Sequence, residues 1–217
     1  MRHESTVAAS LAIDLVGFLV GRGLAEADVC RAASVDPEAL RAPDERLPGS
    51  AMERLWAAGE KLTGDPDLGL HAAESYSPGA LSILGYVLIN CATAHDLAAK
   101  LARYAAILHD GLRVTVTPSG AQTVCRFEAT VDRDNFLLRS PRQPMETLAA
   151  GVVGTLSALT KTRVDPVAVT FRHQARPRRP STFVSWASSR ASRARRTPWC
   201  TGRRISTGRS APPTPPS

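Results

Sequence analysis

SPGALSILGYVLINCATAHDLAAKLARYAAILHDG, residues Ser77 to Gly111, is the stretch on which the fold turns. Pro78 can open a helix, because the first turn does not need the N–H that proline lacks. Leu81, Leu84, Tyr86, Val87 and Leu88 then fill one broad helical face, and Asn90-Cys91 ends the run. Thr93, with Asp96 three residues on, predicts the start of a second helix. The hydroxyl accepts a free backbone N–H, and the carboxylate sits at the positive end of the helix dipole. Leu97, Leu101, Tyr104 and Leu108 recur at helical spacing, and Asp110-Gly111 is a turn dipeptide that stops the helix and starts a strand.

The flanks extend this reading. Downstream, Leu112, Val114 and Val116 alternate with polar residues, Pro118-Ser119-Gly120 turns, and Cys125, Phe127 and Ala129 alternate again, predicting a hairpin with one buried face. Pro141 and Pro144 bracket a predicted loop, and Met145–Lys161 is a predicted helix in which Gly151 and Gly154 imply close approach to a neighbour. Val167, Val169 and Phe171 predict a last strand. Upstream, Thr6–Val20 reads as a helix stopped by Gly21-Arg22-Gly23, followed by short helices over Ala25–Ala33 and Ser34–Leu40. Asp36 caps the latter and Pro37 opens it. Ala42–Pro48 reads as a loop, and Ser50 as the cap of a helix with a Met52, Leu55, Trp56, Leu62 stripe. The class expected is α+β: a helical N-terminal part, then a central helix pair packed on a small antiparallel sheet.

The run ending in LGY, the short polar break, the Thr-capped helix ending in ARY, and the turn into a hairpin resemble one family. It is the effector-binding, arabinose-binding-like N-terminal domain of AraC-type transcriptional regulators. LTGDPDLGLHAAE (Leu62–Glu74) resembles the preceding segment of that domain, and the likeness extends from about Leu11 to His173. The resemblance implies a small-molecule effector site but fixes neither its residues nor its ligand. It is compatible with a homodimer or pairing with an intact paralogue, and with DNA contact only through a separate C-terminal domain. By pattern, the inward faces of the helix pair and hairpin converge on Leu84, Tyr86, Leu88, Tyr104, Leu108, Cys125 and Phe127. The tyrosine hydroxyls and His109 are the polar candidates for a pocket. The same residues also read as plain core between helices and sheet.

Composition narrows the function classes. No apolar run is long enough to span a bilayer, and the N-terminus lacks the pattern of a signal peptide, so a cytoplasmic chain is expected. Cys30, Cys91, Cys125 and Cys200 show no paired spacing, and His3, His71, His95, His109 and His173 are scattered. No metal site, cofactor or catalytic residue set is therefore expected. The helices between Leu11 and Leu40 could be read as a helix-turn-helix. However, Asp36, Glu38, Asp44 and Glu45 would face phosphates there, which argues against DNA reading.

Two domains of different character are expected: the sensor domain over 1–175 and an Arg/Pro/Ser-rich, irregular tail over 176–217. The overall charge of +7 divides into +10 on the tail, with ten arginines and no acid, and −3 on the rest. One reading is a disordered basic tail that binds nucleic acid without sequence preference. The other is a frame break near Ala175. With only 3 lysines to 24 arginines the chain implies a GC-rich gene, whose shifted frames are rich in Arg, Pro and Ser. Arg196–Pro216 back-translates with allowed codons so that a shifted frame reads DALVYRAEDLDRPLRTADP, and Trp186–Ser192 can hide LGVEPRF. Both strings resemble the segment after the last strand in the family. On that reading, the end of the sensor domain and the DNA-binding helix-turn-helix units are missing.

Overall fold

The computed structural model describes residues 3–75, 82–91, 93–120, 122–160, 163–173 and 205–207. A helical N-terminal half leads into a central helix pair, a hairpin and a long final helix, an α+β architecture. β1 (Thr6–Ala8) runs directly into α1 (Ala9–Gly21), and α2 (Glu26–Ala33) and a 3-10 turn over Pro37–Leu40 come next. β2 (Arg46–Pro48) precedes α3 (Gly49–Thr63) and α4 (Leu68–Glu74). The helix pair is α5 (Ser82–Ile89) and α6 (Ala94–Leu108), and the hairpin is β3 (Leu112–Ser119) with β4 (Gln122–Ala129). α7 (Phe136–Arg139), α8 (Arg142–Thr160), β5 (Pro166–Ala168) and β6 (Ile205–Thr207) complete the described elements.

Local chemistry accounts for many of these boundaries. The Thr93 hydroxyl accepts the Asp96 N–H at 3.0 Å, as the sequence predicts, and the Asp36 carboxylate accepts that of Glu38. Pro144 lies inside the first turn of α8 rather than in a loop, since the first turn leaves its N–H groups unbonded in any case. Pro118 belongs to β3 rather than to the turn. It pairs with Thr123, and β3 lies at the sheet edge, where a missing ladder donor is tolerated. The helix start assigned to Pro78 lies outside the described residues.

Several expectations are corrected by pairing between distant segments. Thr6–Ala8 is a strand, not the first turn of α1, because it pairs antiparallel with Arg46–Pro48, which is therefore not a loop. The Arg46 guanidinium clamps the seam: it donates to the Thr6 hydroxyl at 2.7 Å, to the Thr6 carbonyl at 2.9 Å and to the Ile107 carbonyl at 2.7 Å. Ser50 is not the cap of α3, which starts at Gly49; the Ser50 N–H is instead taken by the Glu4 carboxylate. Leu62 is 39% exposed and lies off the stripe of Met52, Leu55 and Trp56. β5 stops at Ala168, with a register shift, and Val167 is 44% exposed.

The close helix approach falls at Gly69 rather than Gly154, where a Cβ would meet open space. A Cβ on Gly69 would lie 2.3 Å from the Gln143 carbonyl oxygen, so α4 and α8 pack backbone to backbone. The Gln143 amide and Thr147 hydroxyl bond the Gly69 N–H and carbonyl at 2.6 and 2.7 Å.

Two sheets result. One is the β1–β2 pair; the other is antiparallel with strand order β3-β4-β6-β5. β6 comes from the segment expected to be irregular, and it pairs with Thr123–Cys125 on one side and Pro166–Ala168 on the other. Without it both neighbours would present unpaired backbone groups, which buried chain avoids. The apolar interior has two main parts. One is built on α1, α2 and α3 with Phe136 and Leu137; the other holds Leu84, Leu88, Leu97, Leu101, Leu108, Val152 and Leu156.

Candidate functional site

A partly open space of about 110 Å³ lies where the two parts of the interior meet. Val7, Leu11, Met52, Trp56 and Phe136 line it from the N-terminal side, Leu88, Leu97, Leu101 and Leu108 from the helix pair. α8 closes it with Pro144, Met145, Thr147, Leu148, Gly151, Val152 and Thr155. Among these lining residues there is no Arg, Lys, Asp or Glu.

His109 is the polar landmark. As α6 ends, the backbone turns extended at His109 and bridges to Val7, so the imidazole stands at the seam between the two halves. It is 5% exposed and stacks on Phe136 with ring centroids 5.4 Å apart. Its Nδ1 accepts the Gly111 N–H at 2.9 Å, which leaves the proton on Nε2. Burial pushes the imidazole down to about 4, so it is neutral near pH 7. Asp110 next to it is held below the usual carboxylate range. Burial opposes this, but the Thr6 N–H and hydroxyl, at 2.8 and 2.9 Å, and the nearby Arg133 and Arg46 outweigh it.

Two lining residues carry buried N–H donors without partners among the described residues: His109 at Nε2 and Trp56 at Nε1. A buried donor left unsatisfied costs roughly 1–3 kcal/mol. The Thr147 hydroxyl, by contrast, is committed to the carbonyls of Gly69 and Gln143.

The residues expected to form a pocket do not all meet. Leu88, Leu108 and His109 line the cavity; Leu84 and Tyr104 belong to the same apolar cluster without lining it. Cys125 sits in a separate small cluster with Ala98 and Ala149, and burial pushes its thiol up. Phe127 packs against both clusters and lines a second space of about 270 Å³ with Arg126, Glu128, Arg172 and His173. Tyr86 is corrected outright: it is 65% exposed, because the buried face of α5 is set by Leu84 and Leu88. The contributions of β1, α3, α7 and α8 are not legible in the sequence, since nothing local in Val7, Trp56, Phe136 or Val152 marks a cavity wall rather than core.

Other chemistry can be placed briefly. His71 pairs with Asp65 at 2.6 Å and His173 with Glu146 at 3.5 Å. Among the described residues no group of three His, Cys, Asp or Glu could hold a metal ion, and no helix is long and apolar enough to cross a membrane.

A family model described as the N-terminal arabinose-binding domain of AraC transcription regulators matches residues 23–186, three-quarters of the chain. It extends past Ala175, where the sequence changes character. No curated protein matches the chain.

Proposed function

Because the chain belongs to the family of N-terminal arabinose-binding domains of AraC transcription regulators, we propose that it is a cytoplasmic small-molecule sensor whose effector occupies the cavity at the seam. The observation that carries this is the position of the cavity: its walls come from both halves of the interior and from α8. An occupant that fits one arrangement of these walls better than another shifts the population toward it, and an attached DNA-binding unit reads the shift. The domain acts by binding rather than catalysis, since the lining holds no nucleophile paired with a base.

The test is a thermal-shift screen of the full chain against a chemically mixed library, repeated on Val152→Phe, which fills the cavity. Ligands that raise the wild-type melting temperature and lose that effect in the variant support the reading; a screen with no such ligand removes it. Hydrogen exchange with a hit bound should slow in β1 and α8 together.

In this proposal the frame breaks near Ala175 and residues 176–217 are an out-of-frame translation of the domain's end, in which Ile205–Thr207 takes the place in the sheet that the in-frame segment would fill. Support comes from the acid-free, Arg-rich composition and the two shifted-frame strings. Resequencing the gene from the codon of Phe171 onward tests it: an open shifted frame encoding two helix-turn-helix units is expected, and its absence overturns the proposal. The tail's ten arginines favour a second reading, in which a genuine basic tail binds nucleic acid through phosphate contacts. That binding would weaken steeply with salt and vanish on deleting Arg176–Ser217.

A further inference from the structure

The width of the cavity at the seam depends on how its two halves are held, and one side chain holds both. Val7 on β1 and Leu108 at the end of α6 are walls supplied by different parts of the interior. Resting on the reading of this cavity as the effector site, we propose that Arg46 is a positioning residue that fixes the spacing of Val7 and Leu108. It thereby sets the size of occupant that the site admits, although it is not itself among the lining residues.

The contacts fall next to the two walls. The Arg46 guanidinium donates to the hydroxyl and carbonyl of Thr6, the residue before Val7, and to the carbonyl of Ile107, the residue before Leu108. All three contacts lie between 2.7 and 2.9 Å. A planar fork with fixed N–H directions suits three such acceptors, whereas an ammonium on a flexible stem is a single point of charge. Thr6 carries the connection further. Its N–H and hydroxyl donate to the Asp110 carboxylate, and the Asp110 N–H donates back to the Thr6 carbonyl at 3.2 Å. Arg133 stands 3.7 Å from the same carboxylate.

Backbone pairing alone constrains this junction less. β1 forms a three-residue ladder with β2 but meets the end of α6 through an isolated bridge, Val7 to His109. Val7 is 0% and Leu108 7% exposed, so a change in their spacing alters the space between them. A close-packed apolar wall discriminates between occupants by about tenfold or more per methylene, and a looser wall discriminates less.

The full chain is titrated calorimetrically with benzene and p-xylene, rigid apolar probes that differ only by methyl groups. Arg46→Gln is expected to shift the ratio of benzene to p-xylene affinity about tenfold toward p-xylene, the discrimination that one methylene carries. Arg46→Lys keeps the charge but loses the fork, and should give the same shift. Val29→Ala opens a void on α2, which supplies no wall residue, and should lower stability while leaving the ratio unchanged. Thr6→Val removes one of the acceptors and replaces Arg46→Gln, with a smaller shift in the same direction, should that variant not fold. Val152→Phe should abolish binding of both probes. In the free chain, Arg46→Gln should speed hydrogen exchange at the Thr6 and Asp110 amides, which bond across the seam, more than elsewhere.

An unchanged ratio in Arg46→Gln overturns the proposal. An equal shift in Val29→Ala does so too, because it traces the effect to lost stability rather than to the seam. Retention of the wild-type ratio by Arg46→Lys overturns the role of the fork, and uniformly faster exchange overturns a local clamp. If neither probe shows binding that Val152→Phe removes while library hits do, size selection by Arg46 falls and the sensing reading stands. If the library gives no such hit either, both fall.

Discussion

The buried His109 and the half-buried Asp14 are both shifted out of their ordinary protonation range, and they respond to pH in opposite directions. His109 is lowered from 6.5 to about 4 by burial. The unfolded chain therefore binds the extra proton first, and the stability from the neutral ring is complete above about pH 6.5 and lost as pH falls toward 4. Asp14 is raised from 3.8 to about 7, again by burial, and its Oδ2 has no partner among the described residues. Its contribution is complete below pH 3.8 and lost as pH rises through 7. Asp14→Asn should stabilise the chain, with a gain that grows by roughly 2 kcal/mol between about pH 5 and pH 8, discounted for the partial exposure of Asp14. Denaturant melts at the two pH values measure this, and a pH-independent gain would refute the assignment. In the Asp14→Asn background the melting temperature should fall from about pH 6.5 to pH 4.5, and that fall should disappear with His109→Phe. His109 is legible in the sequence as a polar candidate, but its burial is not, because it depends on Val7 and Phe136 from distant segments.

At the scale of elements, local features are legible in the sequence and long-range pairings are not. Thr93, Asp36 and the Gly21-Arg22-Gly23 stop act within a few residues, and all stand where the pattern puts them. Thr93→Ala should cost about 1 kcal/mol in a denaturant melt; no loss would mean that water serves the Asp96 N–H as well. β1 and β2 escape detection because strands of three residues carry no period of their own and exist only through each other. The contact of α4 with α8 is another long-range feature. Gly69→Ala should destabilise by about 1–3 kcal/mol, since the added methyl meets backbone that cannot swing away. Because α8 is a wall of the cavity, the same change should also weaken ligands that Val152→Phe excludes, which thermal shift in the presence of a hit would detect.

For the whole molecule, the sheet is the sensitive part. β6 closes the gap between β4 and β5, so removing residues 176–217 leaves two unpaired edges facing each other's former position. Such a chain should aggregate and melt at a lower temperature, whereas one carrying the frame-restored end should remain monomeric and melt higher; light scattering alongside a thermal ramp compares them. Apolar spacing in Ser77–Gly111 and the alternation of the hairpin by themselves determined the helix pair, the β3–β4 ladder, the α+β class and the family. Those features depend on contacts between near neighbours along the chain, and their period is written in residue order. The tertiary structure alone decided that Tyr86 faces out, that Val7, Trp56, Phe136 and α8 line a cavity with His109, and that the buried ring N–H groups of Trp56 and His109 lack partners among the described residues. Each depends on which distant surfaces meet, and burial and hydrogen-bond satisfaction are properties of that meeting rather than of any local pattern.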